Sequence, residues 1–313
     1  MTSQVQPPAE PTVDTSGVPY TDGRIPFRGY STWYRIYGGS EEPGKLPLLC
    51  LHGGPGGSHD SISSLKAMAA TGRRVIFYDQ LGCGRSSLPD SHPDWWTVEL
   101  FVEEVGNVRR ALGLDRIHLL GHSWGGMLAM SYLLTRPAGV ASLTIASAPA
   151  STSQLWDEAN RLLGKLSPDL AATVRKHEAH GTIDDPEYVA AANVFYDRYL
   201  SRRHPNSELS QSSDDRPPAN PEVYQTMNGP MEFQVVGTLK DWDIRDRLGE
   251  IDVPALVTSG RLDLVNDLIA GTVHNGIRGS EWVVFEESAH MAHADEPDRY
   301  MEVLGEFLAR HEP

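Results

Sequence analysis

The sequence is poor in cysteine and in basic residues, and it contains no long hydrophobic run. Only two of its 313 residues are cysteines, Cys50 and Cys83, which excludes a disulfide-based scaffold. No segment approaches the roughly 18 consecutive apolar residues of a membrane-spanning helix. The chain has 27 Lys and Arg residues against 42 Asp and Glu residues, and its net charge of -15 disfavours contact with phosphate backbones or anionic lipids. We therefore expect neither a nucleic-acid partner nor a membrane partner.

The N-terminal segment has the composition of a tail rather than of a targeting signal. Residues 1–19 are rich in Pro, Thr and Ser, and they lack the basic and apolar regions of a secretory signal. We expect a flexible tail over 1–19 and, by default, a cytoplasmic location. The whole chain contains 40% hydrophobic and 22% charged residues, a composition typical of a packed globular protein.

The most informative stretch is a G-x-S-x-G motif at residues 121–125. The apolar run 116–120 predicts a strand before it, and 127–134 predicts a helix after it that ends before Pro137. A serine in a sharp turn between a strand and a helix is a nucleophile elbow, whose neighbours two residues away must be small. We therefore predict that Ser123 is a nucleophile.

Strand and helix patterns alternate along most of the chain, which favours a parallel sheet covered by helices on both faces. The alternation stops at Pro149, and the chain up to Trp242 has a mainly helical pattern. We predict an α/β core formed by residues 20–148 and 243–313, with a helical cap inserted over 149–242. A hairpin is predicted at 24–37, and buried strands are predicted at 46–51, 74–78, 116–120, 141–146, 255–258 and 282–285.

Three side chains with catalytic chemistry follow predicted strands. They are Ser123, Asp263 and His290, and the carboxyl ends of parallel strands are where ligands bind in open α/β sheets. The order Ser, Asp, His is that of the α/β-hydrolases. In such a triad the histidine takes the proton of the serine, and the carboxylate orients the histidine. Asp267 is an alternative to Asp263, and His293 is an alternative to His290.

A glycine-rich loop at 52–57 predicts the second half of an oxyanion hole. We expect the backbone N–H groups of Gly54 and Trp124 to bind the oxyanion. The loop is not G-x-G-x-x-G and no G-K-S/T follows it, so a phosphate site is not indicated. His290 and His293 have a spacing seen in metal sites, but the sequence offers no third ligand beside them. We expect no metal and no cofactor.

With these motifs in place, the chain resembles the proline iminopeptidase family of α/β-hydrolases from about Arg24 to its C-terminus. The resemblance rests on H-G-G-P-G at 52–56, Y-D-Q-L-G-C-G-R-S at 78–86 and G-H-S-W-G-G at 121–126. It implies the α/β-hydrolase fold with a helical cap, and a serine peptidase that removes an N-terminal residue, often proline. Amino-acid amidases are similar to the same family.

The resemblance also implies a carboxylate that recognises the free α-amine of the substrate. The segment N-G-P-M-E-F at 228–233 nominates Glu232 for this role. Some relatives carry a second carboxylate directly after the acid of the triad, where this chain has Leu264. This departure leaves amino-acid amides and small esters open as substrates.

The leading hypothesis is a cofactor-free serine hydrolase for a small-molecule substrate, either an amino-acid amide or a short peptide. One alternative is an esterase or lactonase with the same triad and no amine requirement. Another, from a different class, is a non-catalytic ligand-binding protein with this fold.

Overall fold

The computed structural model describes residues 17–90, 93–200, 220–230 and 233–313. Residues 1–16 of the predicted tail lie outside these ranges. Eight strands are formed: β1 (Tyr20–Phe27), β2 (Tyr30–Tyr37), β3 (Leu48–Leu51), β4 (Val75–Asp79), β5 (Ile117–His122), β6 (Val140–Ala146), β7 (Ala255–Gly260) and β8 (Glu281–Phe285). The α-helices are α1 (Val98–Ala111), α2 (Trp124–Leu133), α3 (Thr152–Leu166), α4 (Pro168–His180), α5 (Pro186–Tyr199), α6 (Pro221–Met227), α7 (Asp267–Gly276), α8 (Ala292–Asp295) and α9 (Pro297–Arg310). Three 3-10 helices lie at His59–Thr71, Pro93–Trp95 and Arg245–Glu250.

The strands form one sheet in the order β1-β2-β4-β3-β5-β6-β7-β8. The β1–β2 hairpin joins this sheet antiparallel to β4. The other six strands, which are β4, β3, β5, β6, β7 and β8, pair in parallel. Each of the six buried strands predicted from the sequence is present within two residues of its expected ends. The predicted α/β class with a mostly parallel sheet is confirmed.

Both faces of the sheet are covered by helices, because the central strands are apolar on both sides. All four residues of β3 are buried, as is usual for a strand inside a parallel sheet. On one face Val105 of α1, Leu128 of α2 and Ile269 of α7 belong to the larger apolar cluster. On the other face, the 3-10 helix His59–Thr71 and α9 pack in a second cluster. None of the helices in the described ranges combines the length and the apolar character needed to cross a bilayer.

The chain between β6 and β7 forms helices α3 to α6 and has an apolar cluster of its own. Leu163 of α3, Val174 of α4 and Phe195 of α5 are buried together there with Phe233. This segment lies inside the range 149–242 that the sequence assigned to a cap. The limits of that cap as a domain stay a prediction.

A buried carboxylate on α1 supports the loop that follows β4. Glu104 accepts the backbone N–H of Leu81 at 3.0 Å and the hydroxyl of Thr32. Its side chain is fully buried, and burial raises the pKa of the carboxyl from 4.5 to about 8 despite these hydrogen bonds. The carboxyl is therefore mostly protonated at neutral pH.

This raised pKa predicts a pH dependence of stability that Glu104→Gln removes. Below pH 4.5 the carboxyl is neutral in both the folded and the unfolded chain. Between pH 4.5 and about 8 only the unfolded chain releases the proton, so the wild type loses free energy of unfolding relative to the Gln variant, by up to about 1.4 kcal/mol per pH unit. Urea unfolding of both proteins from pH 5 to 9 measures the difference, and parallel curves would contradict the raised pKa.

Candidate active site

Ser123 lies at the turn between β5 and α2, in a backbone conformation that few residues adopt. Its φ is 55° and its ψ is -123°, and such a left-handed conformation costs about 1–3 kcal/mol in a residue that is not glycine. A Cβ atom at Gly121 would lie 2.1 Å from the carbonyl oxygen of Gly125, and one at Gly125 would lie 2.2 Å from that of Leu51. Only glycine fits at these two positions, so the sequence motif and the strained turn have the same steric cause.

His290 and Asp263 form a buried hydrogen-bonded pair at the ends of the last two strands. Asp263 follows β7 and is 1% exposed, and His290 follows β8. Nδ1 of His290 donates to Oδ1 of Asp263 at 2.8 Å. Burial alone would raise the pKa of Asp263, but the charge of His290 and its hydrogen bond outweigh burial and hold that pKa below its usual value. The carboxylate is therefore ionised, and Nε2 of His290 is left for a hydroxyl.

Ser123 and His290 line the same cavity, so the structure brings the predicted serine, histidine and aspartate to one place. The two alternatives from the sequence are used elsewhere. His293 is buried, with its Nδ1 2.8 Å from the hydroxyl oxygen of Ser64. Asp267 is exposed and forms an ion pair with Arg261 at 2.6 Å. His290 and His293 have a spacing seen in metal sites, but their Nδ1 atoms bond to different partners, Asp263 and Ser64.

His122 connects the elbow to the loop of the proposed general base. Its Nε2 donates to the backbone carbonyl oxygen of His290 at 2.9 Å, and the two ring centroids are 4.9 Å apart. Burial and, to a smaller extent, the neighbouring His290 lower the pKa of His122 to about 4. The ring is therefore neutral at pH 7. Nothing in the sequence motif indicates this partner, which lies 168 residues further along the chain.

The glycine-rich loop after β3 lies directly against the elbow. A Cβ atom at Gly53 would lie 3.2 Å from that of Ser123, and Gly54 has a φ of +125°. Gly54 and Trp124, the predicted oxyanion donors, both line the cavity with Ser123. Their role as oxyanion donors stays a prediction.

Gln80 is a buried polar residue between the glycine-rich loop and the elbow. The sequence analysis assigned it no role. Its side-chain amide donates to the backbone carbonyl oxygen of His52 at 3.0 Å and accepts from the indole N–H of Trp124 at 2.8 Å. The neighbouring Asp79 accepts the backbone N–H groups of His59 and Arg85, each at 2.8 Å, and so shapes the loop after β4. The strand is apolar from Val75 to Tyr78, and the two polar residues that come next, Asp79 and Gln80, were the available sequence signal.

The cavity above Ser123 has a volume of about 250 Å³ and mainly apolar walls. Trp156 of α3, Phe195 and Tyr196 of α5 and Leu264 after the triad acid form part of the lining. No carboxylate occurs among the described residues that line it. Glu232, the predicted amine-binding residue, lies outside the described residues, so its role stays a prediction.

Comparison with known proteins places the chain in a family. A family model described as the alpha/beta hydrolase fold matches residues 47–297. The proline iminopeptidase of Lactobacillus crispatus is 38% identical over 296 residues, which cover 93% of this chain and 99% of that relative. The crystal structure of proline iminopeptidase from Mycobacterium smegmatis has a TM-score of 0.86 at 39% identity, covering 93% of this chain and 98% of that one. The crystal structure of VinJ has a TM-score of 0.87 at 39% identity, covering 93% and 99%.

The fold and these matches show that the chain is an enzyme, a hydrolase of the α/β-hydrolase class. Within that class the chain belongs to the proline iminopeptidase family, as similarity over more than nine-tenths of its length shows.

The Asp263–His290 pair predicts a large effect of Asp263→Asn on turnover. The amide would favour the wrong tautomer of His290 and would not stabilise an imidazolium, so kcat should fall by roughly 10⁴. Asp267→Asn is the matched control, since it removes an exposed carboxylate four residues away and should leave kcat within about twofold. Steady-state hydrolysis of an amino-acid amide measures both, and equal losses in the two variants would contradict the assignment of Asp263.

Proposed function

We propose that the chain is a serine hydrolase that cleaves the amide or peptide bond after a small N-terminal amino acid with a free amine. The observation that carries this proposal is the buried 2.8 Å hydrogen bond between His290 and Asp263 on the cavity that Ser123 lines. The relatives named proline iminopeptidase support peptidase chemistry at this site.

The proposed reaction proceeds through an acyl-enzyme. The hydroxyl oxygen of Ser123 attacks the substrate carbonyl carbon while His290 accepts the hydroxyl proton. Asp263 stabilises the imidazolium that forms. The backbone N–H groups of Gly54 and Trp124 bind the oxyanion of the tetrahedral intermediate. His290 then donates its proton to the leaving amine, and the C–N bond breaks. Water then attacks the carbonyl carbon of the acyl-enzyme while His290 accepts a proton from the water. The ester bond to Ser123 breaks, the amino acid leaves, and Ser123 regains its proton from His290.

The cavity supports a small, mainly apolar acyl group. A volume of about 250 Å³ enclosed by Trp156, Phe195 and Leu264 suits the side chain of alanine or proline better than a long polar side chain. The requirement for a free amine rests on Glu232, because a carboxylate facing an ammonium would reject a blocked N-terminus.

An esterase or lactonase with the same three residues is the second candidate. It is favoured by Leu264, which lines the cavity where some relatives have a second carboxylate, and by the lack of carboxylates among the described lining residues. A non-catalytic ligand-binding protein is less well supported, because such a protein does not require an ionised Asp263 behind His290. A small-molecule substrate, a cytoplasmic location and the absence of nucleic-acid partners stay predictions from the sequence.

Replacing Ser123 by alanine tests the nucleophile. We expect Ser123→Ala to lower turnover of alanine amide and proline amide by roughly 10⁴ or more, because no acyl-enzyme can form. A fluorophosphonate should label the wild type and not this variant. Ser153→Ala, which changes an exposed serine of α3, is the control and should react like the wild type. Undiminished hydrolysis by Ser123→Ala would exclude the proposed mechanism.

Acetylating the substrate amine tests the amine requirement separately. We expect the wild type to hydrolyse alanine amide at least about 100-fold faster than N-acetylalanine amide, since the acetylated form has no ammonium for Glu232 to bind. Glu232→Gln should reduce this ratio mainly by slowing hydrolysis of the free amine. If the wild type hydrolyses both forms at equal rates, the esterase or lactonase candidate takes the place of the amidase.

A further inference from the structure

Gln80 is the only described side chain that hydrogen-bonds to both Trp124 and His52, the residues that begin α2 and follow β3. It is fully buried, immediately after β4. Its Oε1 accepts the indole N–H of Trp124 at 2.8 Å, and its Nε2 donates to the backbone carbonyl oxygen of His52 at 3.0 Å. Its backbone N–H donates to Nε2 of His52 at 3.0 Å.

The partners fix the orientation of every group in this chain of hydrogen bonds. An indole N–H can only donate, so Oε1 of Gln80 must face Trp124, and a backbone carbonyl can only accept, so Nε2 must face His52. Because Nε2 of His52 accepts a hydrogen bond, the proton of its neutral ring is on Nδ1, which donates to the backbone carbonyl oxygen of Gly53 at 2.8 Å. Burial lowers the pKa of His52, which keeps the ring neutral.

The two ends of this hydrogen-bond chain are the two sides of the proposed oxyanion hole. One end is the indole of Trp124, whose backbone N–H is one proposed donor. The other end is the peptide of Gly53, which directly precedes Gly54, the second proposed donor. We propose that Gln80 is a positioning residue that sets the separation of these two donors. This inference rests on the proposed function, because it requires that an oxyanion forms above Ser123.

The packing around Gln80 explains why a side chain is needed for this purpose. The first turn of α2 already touches the end of β3, since a Cβ atom at Gly125 would lie 2.7 Å from the carbonyl oxygen of His52. Van der Waals contact therefore prevents the two segments from moving closer. Hydrogen bonds also oppose rotation and separation of the two segments. Beyond the pairing of β3 with β5, the amide of Gln80 supplies such bonds to both segments among the described residues.

Two variants separate the positioning role from a general loss of structure. Gln80→Met keeps the length of the side chain and removes both hydrogen bonds of the amide. Trp124→Phe removes only the indole N–H and leaves the backbone N–H of residue 124 in place. Ser86→Ala is the matched control, because Ser86 is buried in the same loop and bonds to Trp33 and Asp79 without contacting either proposed donor.

The measurements are kcat and KM for alanine amide, with active sites counted by the end point of fluorophosphonate labelling. An unfolded fraction is then excluded from the comparison. For Gln80→Met we expect kcat per labelled site to fall by about 10- to 100-fold with KM unchanged within about twofold, since the oxyanion exists only in the transition state. The affinity for alaninal, whose adduct with Ser123 carries the same oxygen, should fall by a similar factor. Trp124→Phe should show a smaller loss, and the double variant should lose no more than Gln80→Met alone.

Three outcomes bear on the inference. The expected result is the loss in both Gln80→Met and Trp124→Phe, together with a Ser86→Ala protein that is less stable but has wild-type kcat per labelled site. Wild-type kcat per labelled site in Gln80→Met and Trp124→Phe would overturn the inference while leaving the proposed function intact. A wild-type chain that neither hydrolyses amino-acid amides nor reacts with the fluorophosphonate would overturn the proposed function and this inference with it.

Discussion

Asp263 is an ionised carboxylate inside the protein. It is ionised because the imidazole of His290 donates to it, with 2.8 Å between Nδ1 and Oδ1. A buried carboxylate without such a partner would take up a proton, as Glu104 does with a pKa raised to about 8. The two acids show that the surroundings of a buried carboxyl set its protonation state. One is held neutral among hydroxyl and amide donors under a loop, and the other is held charged behind the histidine that faces the cavity. The proposed chemistry of the site depends on this difference.

The parts of the structure that follow from local sequence were predictable. The apolar runs gave the six buried strands, and the steric demand of the elbow explains Gly121 and Gly125 as well as the conformation of Ser123. Helix α7 was not predicted, although Asn266 caps it by accepting the N–H of Leu268 at 3.0 Å. Contacts between distant segments could not be read from the sequence. Examples are the bond from His122 to the carbonyl of His290 and the position of Gln80 between two loops, because neither has a periodic pattern that marks its partner.

The choice of substrate depends on the part of the chain where sequence patterns say least. The segment between β6 and β7, which contains helices α3 to α6, contributes most of the residues that line the cavity. Its apolar residues could equally form an ordinary core, as Phe195 does while it also lines the cavity. Leu264 makes the wall apolar beside the triad acid. A family resemblance therefore predicts the type of reaction more directly than the substrate, because the proposed catalytic residues follow strands of the sheet, whereas most residues of the cavity wall lie between β6 and β7.

The position of the three proposed catalytic side chains along the chain has a consequence for synthesis in the cell. Ser123 follows β5, whereas Asp263 and His290 follow β7 and β8. Among the described residues, β6 and the five α-helices α2 to α6 lie between β5 and β7 in sequence. A nascent chain that ends before residue 290 contains Ser123 but lacks the proposed general base, and one that ends before residue 263 also lacks the carboxylate. The proposed mechanism therefore requires that the last two strands have joined the sheet, and it predicts no hydrolysis by an incomplete chain still on the ribosome.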